Sequence, residues 1–530
     1  MKKNFFYFTL AVLFLIVMII SCPSSSEGDN DDQDDKDDNS KTDISSSPGS
    51  GFSLSSSLSE SSLSSMSPVL FTVTYDGNGH TDGKVPHDSS LYAEGDTVTV
   101  LDNTGDLEMN GFNFAGWSAD SAASGEIYTA GDELIMGGAD LKLYAVWKKY
   151  NIPTIVYASD AQASDNMGRA VSIWGDYAVA GAFGEDTGGN YAGAAYIYKN
   201  DNSNDWSQVD ILHASDASAS AQFGWSAGIY DDYIIIGARW ESTYGSEAGG
   251  AYIYKNDGSD NWNEIEILHG SDTTADNNFG WSVSIYGDYA IVGAYHNDTI
   301  ANNAGAAYIY KNDGSDNWTQ ITVLHASDAQ DNDYFGSAVS IYGNYAVVGS
   351  YGEDTTALSA GAAYVYKNDG SDNWSEVEIL HASDAAASNA FGYSASINND
   401  YIIIGAYDEG PGKAYIFKND GSDNWIEVAL LQASDGETGD FFGYSVGIWG
   451  DFAVVGASAE ATYGSSTGAA YIFHNDGSDN WTEMNILYAS NPVSYGRLGR
   501  SVSIQGDNVI IGHEGDSVKA NSAGAAYIFH

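Results

Sequence analysis

Cysteine is nearly absent from this chain, which has a single one, Cys22, among 530 residues. A lone thiol excludes an internal disulfide, so other interactions must hold the fold together. Basic residues are also scarce: 19 lysines and arginines face 73 acidic residues, for a net charge of −54. A surface this negative repels phosphate backbones and excludes nucleic acid as a partner.

Catalytic motifs are missing as well. The sequence contains no phosphate-binding loop or metalloprotease motif. Nearly every conspicuous residue recurs at the same place in several repeats, and a recurring residue has a structural explanation first. The sequence therefore predicts a protein that is not an enzyme. Helical periodicity is absent from the repeats, which predicts an all-β fold there.

The N-terminus has the layout of an export signal. Lys2 and Lys3 precede an apolar run at 5–20, which is short for a membrane span of about 20 residues. The run ends in Ile-Ile-Ser-Cys, which resembles the lipobox of bacterial lipoproteins. The resemblance implies a signal peptide at 1–21, lipidation of Cys22, and an exported protein anchored in a membrane, at the outer membrane or cell surface. A retained signal anchor and an incidental cysteine are the alternatives.

The segment 22–68 is a linker rich in serine and aspartate, with seven aspartates between positions 29 and 38. Such a composition cannot bury enough apolar surface to offset the entropy of ordering the chain. It predicts a disordered tether that holds the folded part away from the membrane.

Residues 69–149 are predicted to form a small β domain. Phe71, Val73 and Tyr75 alternate with polar residues, as in a half-buried strand. The order FTVTYDGNG, EGDTVTVL, GFNFAGWS and LKLYAVW resembles the Listeria–Bacteroides repeat, also called the internalin B-repeat. The resemblance implies a β-grasp-like domain that serves as a spacer or adhesion module in surface proteins.

The region 150–530 contains seven sequence repeats. Each opens with Ala-Ser-Asp or a close variant, and the period is 56 residues except for one copy of 51, with openings at 158, 214, 270, 326, 382, 433 and 489. Each copy contains up to four short strand patterns separated by turn signals. Four strands in each of seven copies predict a seven-bladed β-propeller. Alternation in FGWSVSIY predicts that Phe279, Trp281, Val283 and Ile285 pack together between blades.

A Phe-Gly pair followed by Val-Gly-Ala, as at 279–280 and 292–294, recurs in these copies. The pattern resembles the FG-GAP repeats of integrin α-subunit propellers and their bacterial relatives. The resemblance implies a surface binding or adhesion protein whose propeller face takes an extracellular protein or glycan ligand. A propeller hydrolase of extracellular glycans and a passive spacer are the alternatives. Array binding and glycan-cleavage assays separate the three.

Calcium is possible but not favoured as a cofactor. The calcium loop of the family lies between the first two strands and needs several carboxylates, whereas this turn is short at 286–289. The recurrent Asn-Asp-Gly-Ser-Asp-Asn-Trp suits a turn between strands three and four better than a metal loop. Four histidines, at 213, 269, 325 and 381, belong to separate blades and cannot share one ion. The sequence predicts no metal site and little dependence of stability on calcium.

The last copy ends after its third strand pattern, at 525–530. Residues 152–157, just before the first copy, hold the register of a fourth strand. We therefore expect this segment to complete the last blade. Pro153 is tolerated there because an outermost strand has one unpaired edge.

Strand direction predicts the binding face. Connections from strand two to three and from each blade to the next share one face, and these connections are where the copies differ. These connections offer flat apolar contacts at Phe183, Trp240, Tyr295, Tyr351 and Tyr407. They also offer a ring of acceptors at Glu185, Asp186, Asp298, Glu353, Asp354, Asp408 and Glu409. Such a rim suits a sugar or a basic protein segment, and solvated loops without a ligand are the alternative.

Overall fold

The computed structural model describes residues 68–105, 107, 109, 113–121, 127–148, 153–201 and 205–530. Within these ranges the chain forms 35 strands and no helix, so the prediction of an all-β fold is confirmed. None of the described residues forms a helix that could span a membrane. The predicted signal peptide, Cys22 and the tether up to residue 67 lie outside the described residues.

Seven short strands build the small domain. They are β1 (Leu70–Phe71), β2 (Val73–Asp76), β3 (Tyr92–Ala93), β4 (Thr97–Thr99), β5 (Asn113–Ser118), β6 (Glu133–Ile135) and β7 (Leu141–Lys148). In the largest sheet β7 is central, parallel to β2 and antiparallel to β5. Trp117 is fully buried, and its indole N–H donates to the carbonyl oxygen of Leu101 at 2.9 Å. The Ala-Gly-Trp motif thus supplies the centre of this core.

The other strands form seven four-stranded sheets, the predicted propeller blades. Blade 1 contains β9 (Ala170–Trp174), β10 (Tyr177–Ala182), β11 (Ala194–Asn200) and β12 (Trp206–Leu212). Blade 2 contains β13 (Phe223–Tyr230), β14 (Tyr233–Ala238), β15 (Gly250–Asn256) and β16 (Trp262–Leu268). Blade 3 contains β17 (Ser282–Tyr286), β18 (Tyr289–Ala294), β19 (Ala306–Asn312) and β20 (Trp318–Leu324). Blade 4 contains β21 (Phe335–Tyr342), β22 (Tyr345–Ser350), β23 (Ala362–Asn368) and β24 (Trp374–Leu380).

Blade 5 contains β25 (Ser394–Asn398), β26 (Tyr401–Ala406), β27 (Lys413–Asn419) and β28 (Trp425–Leu431). Blade 6 contains β29 (Phe442–Trp449), β30 (Phe452–Ala457), β31 (Ala469–Asn475) and β32 (Trp481–Tyr488). Blade 7 contains β33 (Leu498–Gln505), β34 (Asn508–His513), β35 (Ala525–Phe529) and β8 (Thr154–Val156).

The last blade is completed by a strand from the start of the repeat region. β8 runs antiparallel to β35, with Val156 opposite Ala526 and Thr154 opposite Ile528. Val156 is 4% exposed and packs in the core shared by blades 7 and 1. The predicted closure of the ring is therefore confirmed.

A recurrent aspartate joins neighbouring blades. Asp316, in the turn between the third and fourth strands of blade 3, accepts a hydrogen bond from the Tyr233 hydroxyl and pairs with Lys255 Nζ, both at 2.6 Å. The same trio recurs as Tyr177, Lys199 and Asp260; Tyr289, Lys311 and Asp372; Tyr345, Lys367 and Asp423; and Tyr401, Lys418 and Asp479. The Asn-Asp-Gly-Ser-Asp motif is thus a turn, as predicted, and also a clamp between blades.

The Phe-Gly pair shapes the start of each innermost strand. In blade 2, Phe223 pairs with Ala238 and Ser226 with Gly237, so the two residues between them are extra. Gly224 has a φ of +87°, and a Cβ there would lie 2.3 Å from a backbone carbonyl oxygen, so only glycine fits. This bulge takes the next side chain out of the strand alternation. The expectation that Trp281 packs with Phe279 between blades is wrong for this reason, since Trp281 follows the equivalent glycine and lines a pocket at the propeller axis.

Candidate functional site

The two faces of the propeller differ in exposed apolar side chains. The loop face carries the connections from second to third strands and from blade to blade, and the turn face carries the other two sets of turns. Seven large apolar side chains are exposed in loop-face connections: Tyr191, Tyr244, Ile300, Leu358, Tyr463, Tyr495 and Val518. The described turns of the turn face expose none. This asymmetry makes the loop face the candidate interaction surface.

Four of the five predicted aromatic contacts lie close to the propeller axis. Each has its ring centroid 4.2–5.6 Å from an aromatic residue that follows a Phe-Gly pair; the pairs are Phe183 with Trp225, Tyr295 with Trp281, and Tyr351 and Tyr407 with Tyr393. The fifth, Trp240, lies beside Arg239, and the guanidinium carbon of Arg239 is 4.3 Å from the centroid of the Trp240 ring. The structure therefore brings the predicted aromatic residues to one region.

Phe183, Tyr295 and Tyr351 belong to an aromatic belt that runs from blade 1 to blade 6, and Tyr407 contacts it at Tyr393. Consecutive ring centroids are 4.2–5.9 Å apart along Phe183, Trp225, Trp281, Tyr295, Tyr334, Tyr351, Tyr393 and Tyr444. Burial raises the pKa of Tyr295 and of Tyr407 to about 12, so their hydroxyls stay protonated at neutral pH. The belt thus combines flat apolar surface with hydroxyl groups that can donate and accept hydrogen bonds.

Arginines lie at blade 7, which the aromatic belt leaves open, and at blades 1 and 2. The chain has four arginines, at 169, 239, 497 and 500, and all four lie at the loop face. The guanidinium carbons of Arg169 and Arg239 are 3.8 and 3.2 Å from the centroid of Trp225, and that of Arg500 is 4.4 Å from the centroid of Tyr444. A strongly negative protein therefore places all of its arginines around one opening.

Glu514 is the carboxylate that the structure pairs with this cluster. It is 5% exposed and lies 2.8 Å from Arg497 Nη1 and 3.5 Å from Arg500 Nε. The pKa of Arg169 is lowered, mainly because the side chain is buried and secondly because the charge of Arg500 is close. The pKa of Arg239 is lowered to about 9, again mainly by burial and secondly by the charge of Arg169. The Arg169 Nε is buried without a hydrogen-bond partner. Two carboxylates also act on these arginines through their charges, Glu514 on Arg169 and Glu247 on Arg239, so four guanidinium groups stand against two carboxylates at this opening.

Part of the belt and two of the arginines, Arg169 and Arg500, line a pocket of about 200 Å³ at the propeller axis, which we call the axial pocket. Its wall contains the residue after each Phe-Gly pair or equivalent, namely Arg169, Trp225, Trp281, Ser337, Tyr393, Tyr444 and Arg500. Toward the turn face, Trp174 and Trp449 from non-neighbouring blades approach to 5.4 Å between centroids and narrow the axis. A ligand would therefore enter the pocket from the loop face.

The predicted ring of acceptors lies only partly at the surface. Asp186, Asp298, Asp354, Asp408 and Glu409 are exposed. Glu185 and Glu353, by contrast, are each 1% exposed. An Oε1 of each accepts the backbone N–H two residues later, of Thr187 at 2.8 Å and of Thr355 at 2.5 Å. The expectation that these two glutamates face a ligand is wrong, because they stabilise the loop backbone from inside.

The four spaced histidines stay in separate blades. His269 Nε2 lies 3.0 Å from Glu241 Oε2, and His213 Nε2 lies 3.3 Å from Glu185 Oε2. These two histidines therefore contact a glutamate of their own blade. Among the described residues no group of three or more His, Cys, Asp or Glu side chains is arranged to hold a metal ion. The weak dependence on calcium stays a prediction.

Sequence alternation missed most of the axial pocket. It assigns the residues after the Phe-Gly pairs to the space between blades, although the bulge turns them to the axis. The arginines carry a sequence signal that could have identified these pocket residues. The whole chain has four arginines, and two of them, Arg169 and Arg500, directly follow the glycine of a Phe-Gly equivalent.

We predict that Asp333→Asn stabilises the protein at pH 7. Asp333 is 1% exposed, and burial followed by the charges of Glu353 and Asp328 raises its pKa to about 6. This folded-state pKa exceeds the unfolded value of about 3.9, so the carboxyl ionises more readily in the unfolded chain. The free energy of unfolding therefore falls by about 1 to 3 kcal/mol as pH rises from about 4 to 6. Asn277 occupies the equivalent place in blade 3 and accepts the same loop hydrogen bond, from the Thr274 N–H at 2.7 Å.

Thermal melts of wild type and Asp333→Asn at pH 4.5 and 7 check this prediction. The variant should gain stability at pH 7 and little at pH 4.5. Asp288→Asn removes an exposed carboxylate from a turn-face turn of blade 3, where blade 4 has Asn344, and controls for a general charge effect. Equal effects of the two substitutions would contradict the assignment of the cost to burial.

Two families match this chain. The FG-GAP repeat profile matches seven segments, at 154–198, 206–254, 262–310, 318–366, 374–417, 425–473 and 481–529. The Listeria-Bacteroides repeat domain profile matches residues 71–146. Each FG-GAP segment covers the fourth strand of one blade and the first three strands of the next, and the second match covers the small domain, so both predicted resemblances are confirmed.

Curated relatives resemble a short part of the chain. A protein of Evansella cellulosilytica named "Putative membrane protein" is 32% identical over 81 residues, which is 15% of this chain and 12% of the relative. Another from the same organism, named "Putative Gly-rich membrane protein", is 33% identical over 90 residues, 16% of this chain and 10% of the relative. The chain thus covers about a tenth of the length of these relatives.

Proposed function

This chain belongs to the FG-GAP repeat family, and from that membership we propose that it is a surface-exposed binding or adhesion module that takes a glycan or protein ligand at the loop face. One observation carries the proposal: aromatic rings of the belt line a single pocket at the axis of that face together with Arg169 and Arg500, and Arg239 lies against the ring of Trp225 in its wall. Concave sites lined by aromatic side chains with a few polar groups are the usual form of a ligand site.

Binding is favoured over glycan hydrolysis by the charges in the axial pocket. Glycoside hydrolysis generally uses two carboxyl groups on either side of the scissile bond. The carboxylate described at this pocket, Glu514, is paired with two arginines, and their positive charges, with that of Arg169, lower its pKa although burial raises it. A carboxylate held ionised in this way is a poor general acid. We therefore propose that the protein has no hydrolase activity.

Arrays of glycans and matrix proteins, probed with the full chain in detergent, test the proposed face. Combined alanine substitutions at Trp240, Tyr295 and Tyr351 should weaken binding of the array ligand at least about tenfold, or about 1.4 kcal/mol. Changes in the turn-face aspartates Asp313 and Asp369 should leave binding unchanged. The reverse pattern would place the site on the turn face, and turnover of a bound glycan would favour the hydrolase.

We further propose that Cys22 carries a lipid that anchors the protein in a membrane. The sequence before Cys22 and the membrane-protein names of the two relatives support this location. Cells that express Cys22→Ser should incorporate no fatty-acid analogue into the protein and should release it from the membrane fraction. Ser21→Ala controls for a general change near the cleavage site. Label on Cys22→Ser would contradict lipidation there.

A further inference from the structure

We propose that the axial pocket binds the carboxylate of an acidic sugar at the end of a glycan chain. This inference rests on the proposed function and adds the class of ligand. It is carried by the position of three guanidinium groups, of Arg169, Arg239 and Arg500, beside the aromatic belt.

The charge of the pocket favours an anion. Arg169 and Arg239 both lie against the ring of Trp225. Of the carboxylates nearby, Glu514 is already paired with Arg497 and Arg500, and Glu247, which acts on Arg239 through its charge, is exposed to solvent. Arg239 donates through Nε to Gln222 Oε1 at 2.7 Å, which fixes its guanidinium without neutralising it. A guanidinium has a planar fork of donors that matches a carboxylate, and such charge-assisted bonds are among the strong ones. A ligand carboxylate would supply the counter-charge that the pocket lacks.

The belt favours a sugar over a peptide. Its rings offer flat surfaces, and the hydroxyl of Tyr393 donates to that of Tyr444 at 2.7 Å, so hydroxyl groups lie within the pocket. A peptide that adds to a sheet needs free backbone groups on an edge strand. Here serine hydroxyls of one innermost strand accept the N–H groups of the next, as Ser284 Oγ does from Ile341 at 3.2 Å and Ser340 Oγ from Ile397 at 3.2 Å.

The surroundings favour one terminal acid rather than a polyanion. The exposed aspartates of the loop-face connections, such as Asp186, Asp298 and Asp354, lie outside the arginine cluster and repel a chain with many negative charges. The pocket of about 200 Å³ is also narrowed toward the turn face, so a polymer cannot pass through the axis. A glycan with one acidic sugar at its end carries few negative charges and can enter the pocket from the loop face alone.

Matched glycans test the inference. The full chain in detergent is titrated with oligosaccharides ending in glucuronic acid and in glucose, which differ in the terminal carboxylate, and with a short peptide that ends in a free carboxylate. Sialic-acid-terminated and galacturonic-acid-terminated glycans extend the acidic set. Tryptophan fluorescence and calorimetry report binding. The variants are Arg169→Gln, Arg239→Gln and Arg500→Gln, with Lys519→Gln as a control for loss of an exposed charge on the same face.

At least one acid-terminated glycan should bind about tenfold more tightly than its neutral counterpart, and each arginine variant should remove most of that difference while Lys519→Gln keeps it. Equal binding of acidic and neutral glycans that is lost on alanine substitution of Trp225 would overturn the inference but leave the proposed function intact. Binding of the peptide alone, or of none of the acidic glycans at millimolar concentration, would also overturn it. If no loop-face substitution changes the affinity for the array ligands, the proposed function is refuted instead.

Discussion

A chain that begins at Ala158 is expected to melt about 5 to 10 °C below a chain that begins at Pro153. The five residues between these starts contain β8, the outer strand of blade 7. Their removal exposes one edge of β35 and takes Val156 out of the core shared by blades 7 and 1. Burial of a valine contributes about 1.5 to 3 kcal/mol, and Ile155 and Tyr157 also pack against blade 7.

Differential scanning calorimetry of the two fragments measures this loss. In the full chain, Val156→Ala should reproduce part of it, whereas Pro153→Ala, just before the strand, should change the melting temperature little. If the two fragments melt at the same temperature, β8 does not close the ring in solution.

Alanine at both Trp225 and Trp281 is expected to weaken binding of the array ligand at least about a hundredfold, or about 2.7 kcal/mol. Tryptophans at the centre of a site are typical hot spots. These two rings lie 5.2 Å apart in the belt, and Trp225 also contacts Arg169 and Arg239. Their loss would remove both the stacking surface and the support of two guanidinium groups.

Phenylalanine at the same two positions is the matched control, because it keeps a flat apolar ring. It should retain more of the affinity than alanine does. Melting curves show whether a variant is folded, and neither tryptophan belongs to the hydrophobic clusters between blades. Full affinity in the folded double alanine variant would exclude the belt as the ligand site.

Most of the fold could be predicted because the propeller repeats itself. Seven copies of one pattern fix the number of blades, and the unpaired third strand at 525–530 predicts that an earlier segment completes the last blade. Residues 154–156 do so. The inter-blade contact of Asp316 with Lys255 could not be read from one copy, because the partners lie 61 positions apart and in different blades.

The site was predicted only in outline. Strand parity locates the loop face, and Phe183, Tyr295, Tyr351 and Tyr407 do contact the belt. Alternation fails at the residue after each Phe-Gly pair, because the bulge adds residues that no period of two includes. Burial of Glu353 also escapes sequence reasoning, since its partner is a backbone N–H within the same loop.

A crystal structure of the full chain with its tightest acid-terminated glycan tests the central claim most directly. The account predicts a sugar ring against Trp225 or Trp281, with its carboxylate within hydrogen-bond distance of Arg169, Arg239 or Arg500. A glycan bound on the turn face, or between the outer strands with the axial pocket empty, would contradict it.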